Sequence, residues 1–172
     1  IEIVKLLLDR EAHINAISRY EDTPLHMAAH HGHIEIVKLL LDREAHINAI
    51  NENKGTPLHT AAGHGHMEIA ELLLDRKAKI DALDKDENTP LHKAAYLGNT
   101  HVVDLLIDRG ANIEATDING YTPLHKAVSK DNIETVSLLV EKGADIEAHS
   151  GNGTSPLQYA ISNNKFPCTL SL

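Results

Sequence analysis

Thirteen of the 172 residues are histidine, the side chain best suited to proton transfer or metal ligation near neutral pH. Four of them, His26, His59, His92 and His125, close the same tetrapeptide, Thr-Pro-Leu-His. With His33 and His66 they read as scaffold, orienting turns through hydrogen bonds to backbone and to threonine hydroxyls. His30, His31 and His64 stand outside the tetrapeptide and are the more exposed. His31 and His64 occupy equivalent places in adjacent repeats, and an ion held between them would be zinc or nickel, as an adventitious ligand. With no cysteine beside them and no clear carboxylate partner, the sequence assigns no metal ligand. There is no phosphate-binding glycine loop, no Gly-x-Ser-x-Gly elbow and no His-Glu-x-x-His, and Cys168 is the single cysteine. The chain therefore reads as non-enzymatic, with no cofactor.

Composition narrows the alternatives. Sixteen basic against 25 acidic residues leave a net charge of -9, which disfavours phosphate backbones and anionic lipid, so nucleic acid and membrane are excluded as partners. Apolar runs such as Leu39 to Leu41 are closed by Lys38 and Asp42, far short of the roughly 18 residues a spanning helix needs. A lone cysteine cannot form an internal disulfide, which favours a cytoplasmic setting. Only 3% of residues are aromatic, so the core must be Leu, Ile, Val and Ala, a composition that suits thin stacked helices. The first residues, Ile-Glu-Ile-Val-Lys-Leu-Leu-Leu, do not resemble a signal peptide and read as a cut through something longer.

What must position these side chains is a 33-residue period. Thr-Pro-Leu-His begins at Thr23, Thr56, Thr89 and Thr122, and Ser155-Pro156-Leu157-Gln158 is a degraded fifth copy. Residues 1–17 are identical to residues 34–50. In each unit the threonine can N-cap a helix, with proline at the first helical position and Ala28-Ala29 or its equivalent forming a small packing face. Gly32 ends that helix. A second follows, with Ile36, Val37, Leu40 and Leu41 at helical spacing and Glu35, Lys38 and Asp42 facing out. An extended stretch and turn, Ala45 to Gly55, complete the unit. Neither helix can stand alone, so stability must come from interfaces between units.

These residues resemble the ankyrin repeat family. The resemblance rests on the period, on Thr-Pro-Leu-His, on Ala-Ala-x-x-Gly-His at 28–33 and 61–66, and on Gly-Ala-x-Ile at 110–113 and 143–146. It implies an all-α solenoid of stacked helix-turn-helix repeats with short β-hairpin loops. The expected divisions are a trailing half repeat (1–17), four full repeats (18–50, 51–83, 84–116, 117–149) and a degraded partial repeat (150–172). Three departures mark expected weak joints. Glu11, Glu44 and Lys77 stand where the family usually places a glycine after the second helix, so a left-handed residue there costs roughly 1 kcal/mol relative to Gly. Asp131-Asn132 replaces Gly-His, putting regular packing there in doubt, and Phe166-Pro167-Cys168 falls where the last second helix should start, predicting fraying. Both ends fall within a repeat, leaving outer layers without a polar cap.

The resemblance implies a protein partner held on a concave surface of hairpin tips and first helices. The residues expected to contact it are Arg19, Tyr20, His30, His31, Asn53, His64, Lys85, Lys93, Tyr96, Leu97, Tyr121, Lys126 and Lys130, with Asp22, Met27, Glu52, Thr60, Gly63 and Asp86 among their neighbours. Three of the four tyrosines fall here, and its five cations against three carboxylates give +2 on an acidic chain. The expected ligand is a neutral to mildly acidic, partly apolar segment anchored near Tyr96, Leu97 and Tyr121. An unbound array is expected to be monomeric, with association through its uncapped ends as the exception. A second reading is an architectural spacer between other domains. Asn15 and Asn48 sit where the family resembles targets of asparaginyl hydroxylation, the simpler expectation being that each stabilises its own turn.

Overall fold

The computed structural model describes residues 1–163, and Phe166-Pro167-Cys168, where fraying was expected, lies outside them. The described residues form ten helices and no strand. Five are second helices of a unit or its equivalent: α1 (Glu2–Asp9), α3 (Ile34–Asp42), α5 (Met67–Asp75), α7 (Thr100–Asp108) and α9 (Ile133–Glu141). The first helices are α2 (Pro24–His30), α4 (Pro57–His64), α6 (Pro90–Leu97), α8 (Pro123–Ser129) and α10 (Pro156–Asn163). First helices stack on first helices, and α3, α5, α7 and α9 stack behind them, giving two helical layers.

The Thr-Pro-Leu-His tetrapeptide starts every helix from α2 to α8 of the first layer in the same way. Thr23, Thr56, Thr89 and Thr122 hold extended backbone, and each hydroxyl accepts from the N–H of the histidine three residues on. Proline fills the first turn, where its missing N–H has no partner to lose. The leucines of the motif, Leu25, Leu58, Leu91 and Leu124, are buried, each stabilising the stack by about 2 kcal/mol. Ala28-Ala29, Ala61-Ala62 and Ala94-Ala95 are buried between first helices, as their small size requires for close stacking. From the second layer Val37 and Leu40, Ile69 and Leu73, and Val102, Val103 and Leu106 complete one continuous core.

Three backbone positions per unit turn left-handed, one of them in the hairpin at Glu21, Lys54, Glu87, Gly120 and Gly153. After the first helix it is Gly32, Gly65, Gly98 and Asp131; after the second, Glu11, Glu44, Lys77, Gly110 and Gly143. The strain expected at Glu11, Glu44 and Lys77 is present, at φ of 63°, 63° and 70°. The doubt over Asp131-Asn132 is removed. Asp131 takes the left-handed turn at φ 59°, and Asn132 Nδ2 donates to the Ala95 and Tyr96 carbonyls, just as Asn99 Nδ2 donates to Ala62 and Gly63. The hairpins are single closed turns. In the second, Asn51 N–H donates to Gly55 O and Lys54 N–H to Asn51 O, and one bond per interface, such as Lys85 N–H to Asn53 O at 2.9 Å, links each tip to the next.

The acidity of the chain lies partly on the second layer, in a ladder of ion pairs 34 or 38 residues apart. Arg43 meets Asp9, Arg76 meets Asp42, Arg109 meets Asp75 and Glu71, and Lys142 meets Asp104 and Asp108, all at 2.6–2.9 Å. The two aspartates push the Lys142 ammonium up to about 12.

Candidate partner-binding groove

The buried histidines are linking pins. In each, Nε2–H donates to a carbonyl of the next hairpin: His26 to Gly55, His59 to Asn88, His92 to Tyr121 and His125 to Thr154, at 2.9–3.0 Å. That fixes the tautomer, leaving Nδ1 to accept from the threonine N–H and hydroxyl. Burial pushes all four below the usual histidine range, and His92 falls to about 4. A proton on Nδ1 would also set a donor against two donors. These imidazoles are neutral structural groups, as expected from the sequence. His66 adds a pin of another kind, donating from Nε2 to His30 O at 3.1 Å.

In front of these pins lies a groove of about 410 Å³ between the hairpins and α2, α4 and α6. Of the residues expected to contact a partner, His30, His31, Asn53, His64, Lys93 and Leu97 line it together. Met27, Thr60 and Gly63 complete its floor, with Asp22, Asn51 and Asp84 on the hairpin side. Side chains in and beside it meet diagonally, each at 34 residues' separation. The His30 and His64 rings lie 4.1 Å apart, Leu97 sits above the bare Gly63, and Lys130 lies 4.6 Å over the Tyr96 ring.

The other expected contacts fall outside this groove. Arg19 and Tyr20 are exposed on the first hairpin, whose Tyr20 carbonyl accepts from Glu52 N–H. The Lys85 ammonium rests on Asn53 Oδ1. Tyr96 is beside the groove but partly covered by Lys130. Tyr121 is half-buried, packed edge-on to Tyr159 at 5.2 Å and tilted against His125 at 5.6 Å; burial and the neighbouring phenol raise its pKa. Its ring is thus also part of the packing between α8 and α10.

Two carboxylates were missed in the sequence, Asp84 and Asp117. Lys93 Nζ lies 2.6 Å from the buried Asp84, and Lys126 pairs with the buried Asp117. Burial alone would raise these carboxyls, but the ammonium groups and the N–H groups of their own hairpins outweigh it and hold both below the usual range. The signal was available: lysine follows the motif only in the units that carry aspartate nine residues earlier, whereas Ser18 faces Met27 and Asn51 faces Thr60. Counting these carboxylates cancels the +2 surplus. Asn15 and Asn48 differ from expectation as well. Their Oδ1 atoms accept from His46 N–H and Lys79 N–H, both at 2.9 Å, so each stabilises the turn of the following unit and not its own.

A family model for ankyrin repeats in three copies matches residues 1–51, 45–117, 78–150 and 114–172. The chain belongs to the ankyrin repeat family, whose arrays generally serve as protein-interaction modules and are typically not enzymes. No curated protein matches it. Among the described residues no helix is long and apolar enough to cross a membrane.

Proposed function

We propose that this array binds a partner protein through the groove formed by its hairpins and first helices. The observation that carries the reading is a division of labour within the chain. Positions that hold the fold repeat from unit to unit, as in the four copies of Thr-Pro-Leu-His, while those lining the groove vary more: Met27, Thr60 and Lys93; His30 and Gly63; and His31 and His64 against Leu97. Packing explains the first set, and a distinct ligand explains the second.

The ligand that suits this surface is an uncharged, partly apolar segment. Lys93 is neutralised by Asp84, and Met27 and Leu97 offer apolar contact beside the side-chain-free Gly63. Tyr96 flanks this anchor and Tyr121 supports the hairpin behind it. A cytoplasmic setting accords with the single cysteine. Exposed Ile3, Leu6 and Leu7 on α1 support weak self-association at high concentration. The architectural-spacer reading needs no groove and predicts that altering it has no effect on interactions.

The test is affinity capture with the wild-type array beside Leu97→Glu and Tyr96→Ala variants, after circular dichroism has shown all three folded. A protein captured by the wild type and lost with Leu97→Glu supports the groove. Identical captures by all three favour the spacer.

A further inference from the structure

Four histidines, His30, His31, His64 and His66, gather at the end of the groove where α2 meets α4. His30 and His31 lie 4.8 Å apart between ring centres, His30 and His64 4.1 Å, and His64 stacks nearly parallel to His66 at 6.2 Å. The His64 Nδ1–H donates to the Thr60 carbonyl at 2.9 Å, which places its lone pair on Nε2. A backbone carbonyl holding the second nitrogen is the arrangement that orients metal-bound imidazoles and fixes their tautomer.

We propose that His30 and His64 form a binding site for one zinc-class divalent cation, linking the first helices of two adjacent repeats. Two imidazoles sharing such an ion at tetrahedral angles, with Zn–N of about 2.0–2.1 Å, have ring centres about 5 Å apart, so the 4.1 Å edge-on pair must open by about 1 Å and turn its nitrogens inward. No three His, Cys, Asp or Glu groups among the described residues form a metal cluster. The site therefore has two protein ligands, with water filling the remaining positions. Imidazole without thiolate suits zinc, nickel or copper. The site stands whether or not the groove binds a protein.

The experiment is titration of the 172-residue array with Zn²⁺ at pH 7, followed through assigned imidazole ¹⁵N resonances. The expected result is that His30 and His64 respond first and saturate at one equivalent, with the change on His64 at Nε2. His64→Gln should weaken the His30 response by more than about tenfold, and His30→Gln that of His64. His31→Gln should leave both within twofold, with dichroism confirming the fold of each variant. If the exposed His13, His46, His101 and His149 respond over the same range, the metal is an adventitious ion only and the proposal fails. It fails too if His30 saturates unchanged in His64→Gln.

Discussion

Lowering the pH should unpin the array, and His92 is where the effect can be worked out. Its ring is fully buried, and its pKa falls to about 4 from an ordinary 6.5. Above the ordinary value both folded and unfolded chains hold it neutral, and it contributes no pH dependence. Between about 6.5 and 4 the unfolded chain binds the proton and the folded one does not, so stability falls as pH falls and levels off below 4. At pH 4.5 this single group costs about 2.5 kcal/mol. His26, His59 and His125 act in the same direction.

The fifth unit supplies the control. There Gln158 takes the place of histidine, its Oε1 accepting Ser155 N–H at 2.9 Å and its N–H donating to Ser155 Oγ. His92→Gln should therefore keep the helix start while removing the titration. It forfeits the Nε2–H bond to Tyr121 O, but that carbonyl also accepts Asp117 N–H at 3.0 Å, so the loss is about 1 kcal/mol near pH 7.5. At pH 4.5 the variant should be the more stable, by roughly 1–2 kcal/mol. Urea unfolding followed by far-UV circular dichroism at both pH values measures the crossing. Parallel curves, or a variant that loses more than the wild type at low pH, would falsify the pin.

Three further single substitutions, one with a rescuing second change, test the scaffold by the same urea assay. Glu44→Gly should stabilise by about 1 kcal/mol, because it relieves a left-handed residue at φ 63°; a loss of stability would refute the strain. Lys126→Met should cost about 2 kcal/mol by leaving Asp117 buried without its cation, and adding Asp117→Ser, the residue at the matching Ser18, should recover most of it. No recovery would mean that Lys126 stabilises by some other route. Arg76→Gln should cost under about 1 kcal/mol at low salt and nothing measurable in concentrated salt, since its pair with Asp42 is exposed; a salt-independent loss would contradict the ladder.

The helices were legible because their causes are local. Threonine, proline and a histidine three residues on set each first helix, and the left-handed turns at Glu11, Glu44 and Lys77 follow from where the second helices stop. What escaped the sequence depends on how units stack. The diagonal meetings of His30 with His64 and Lys130 with Tyr96 run at 34 residues rather than the 33 of the repeat, because neighbouring helices are offset by one position. Asn15 and Asn48 reach the next unit's backbone 31 residues on, a contact that likewise depends on how units stack. The proposed binding surface was legible as a set of positions but not as a groove. Leu97 and the histidines converge, whereas Tyr121, read as an exposed anchor, is partly taken up by Tyr159. Lys93 and Lys126, read as free charges, answer carboxylates nine residues earlier.

The central claim, that the groove is the binding surface, is tested most directly by placing a photoreactive residue at position 97 in the groove or at position 141 on α9, and cross-linking each in cell extract. The account predicts one recurring protein adduct from position 97 that is absent from position 141. The same adducts from both positions, or none from position 97, would contradict it.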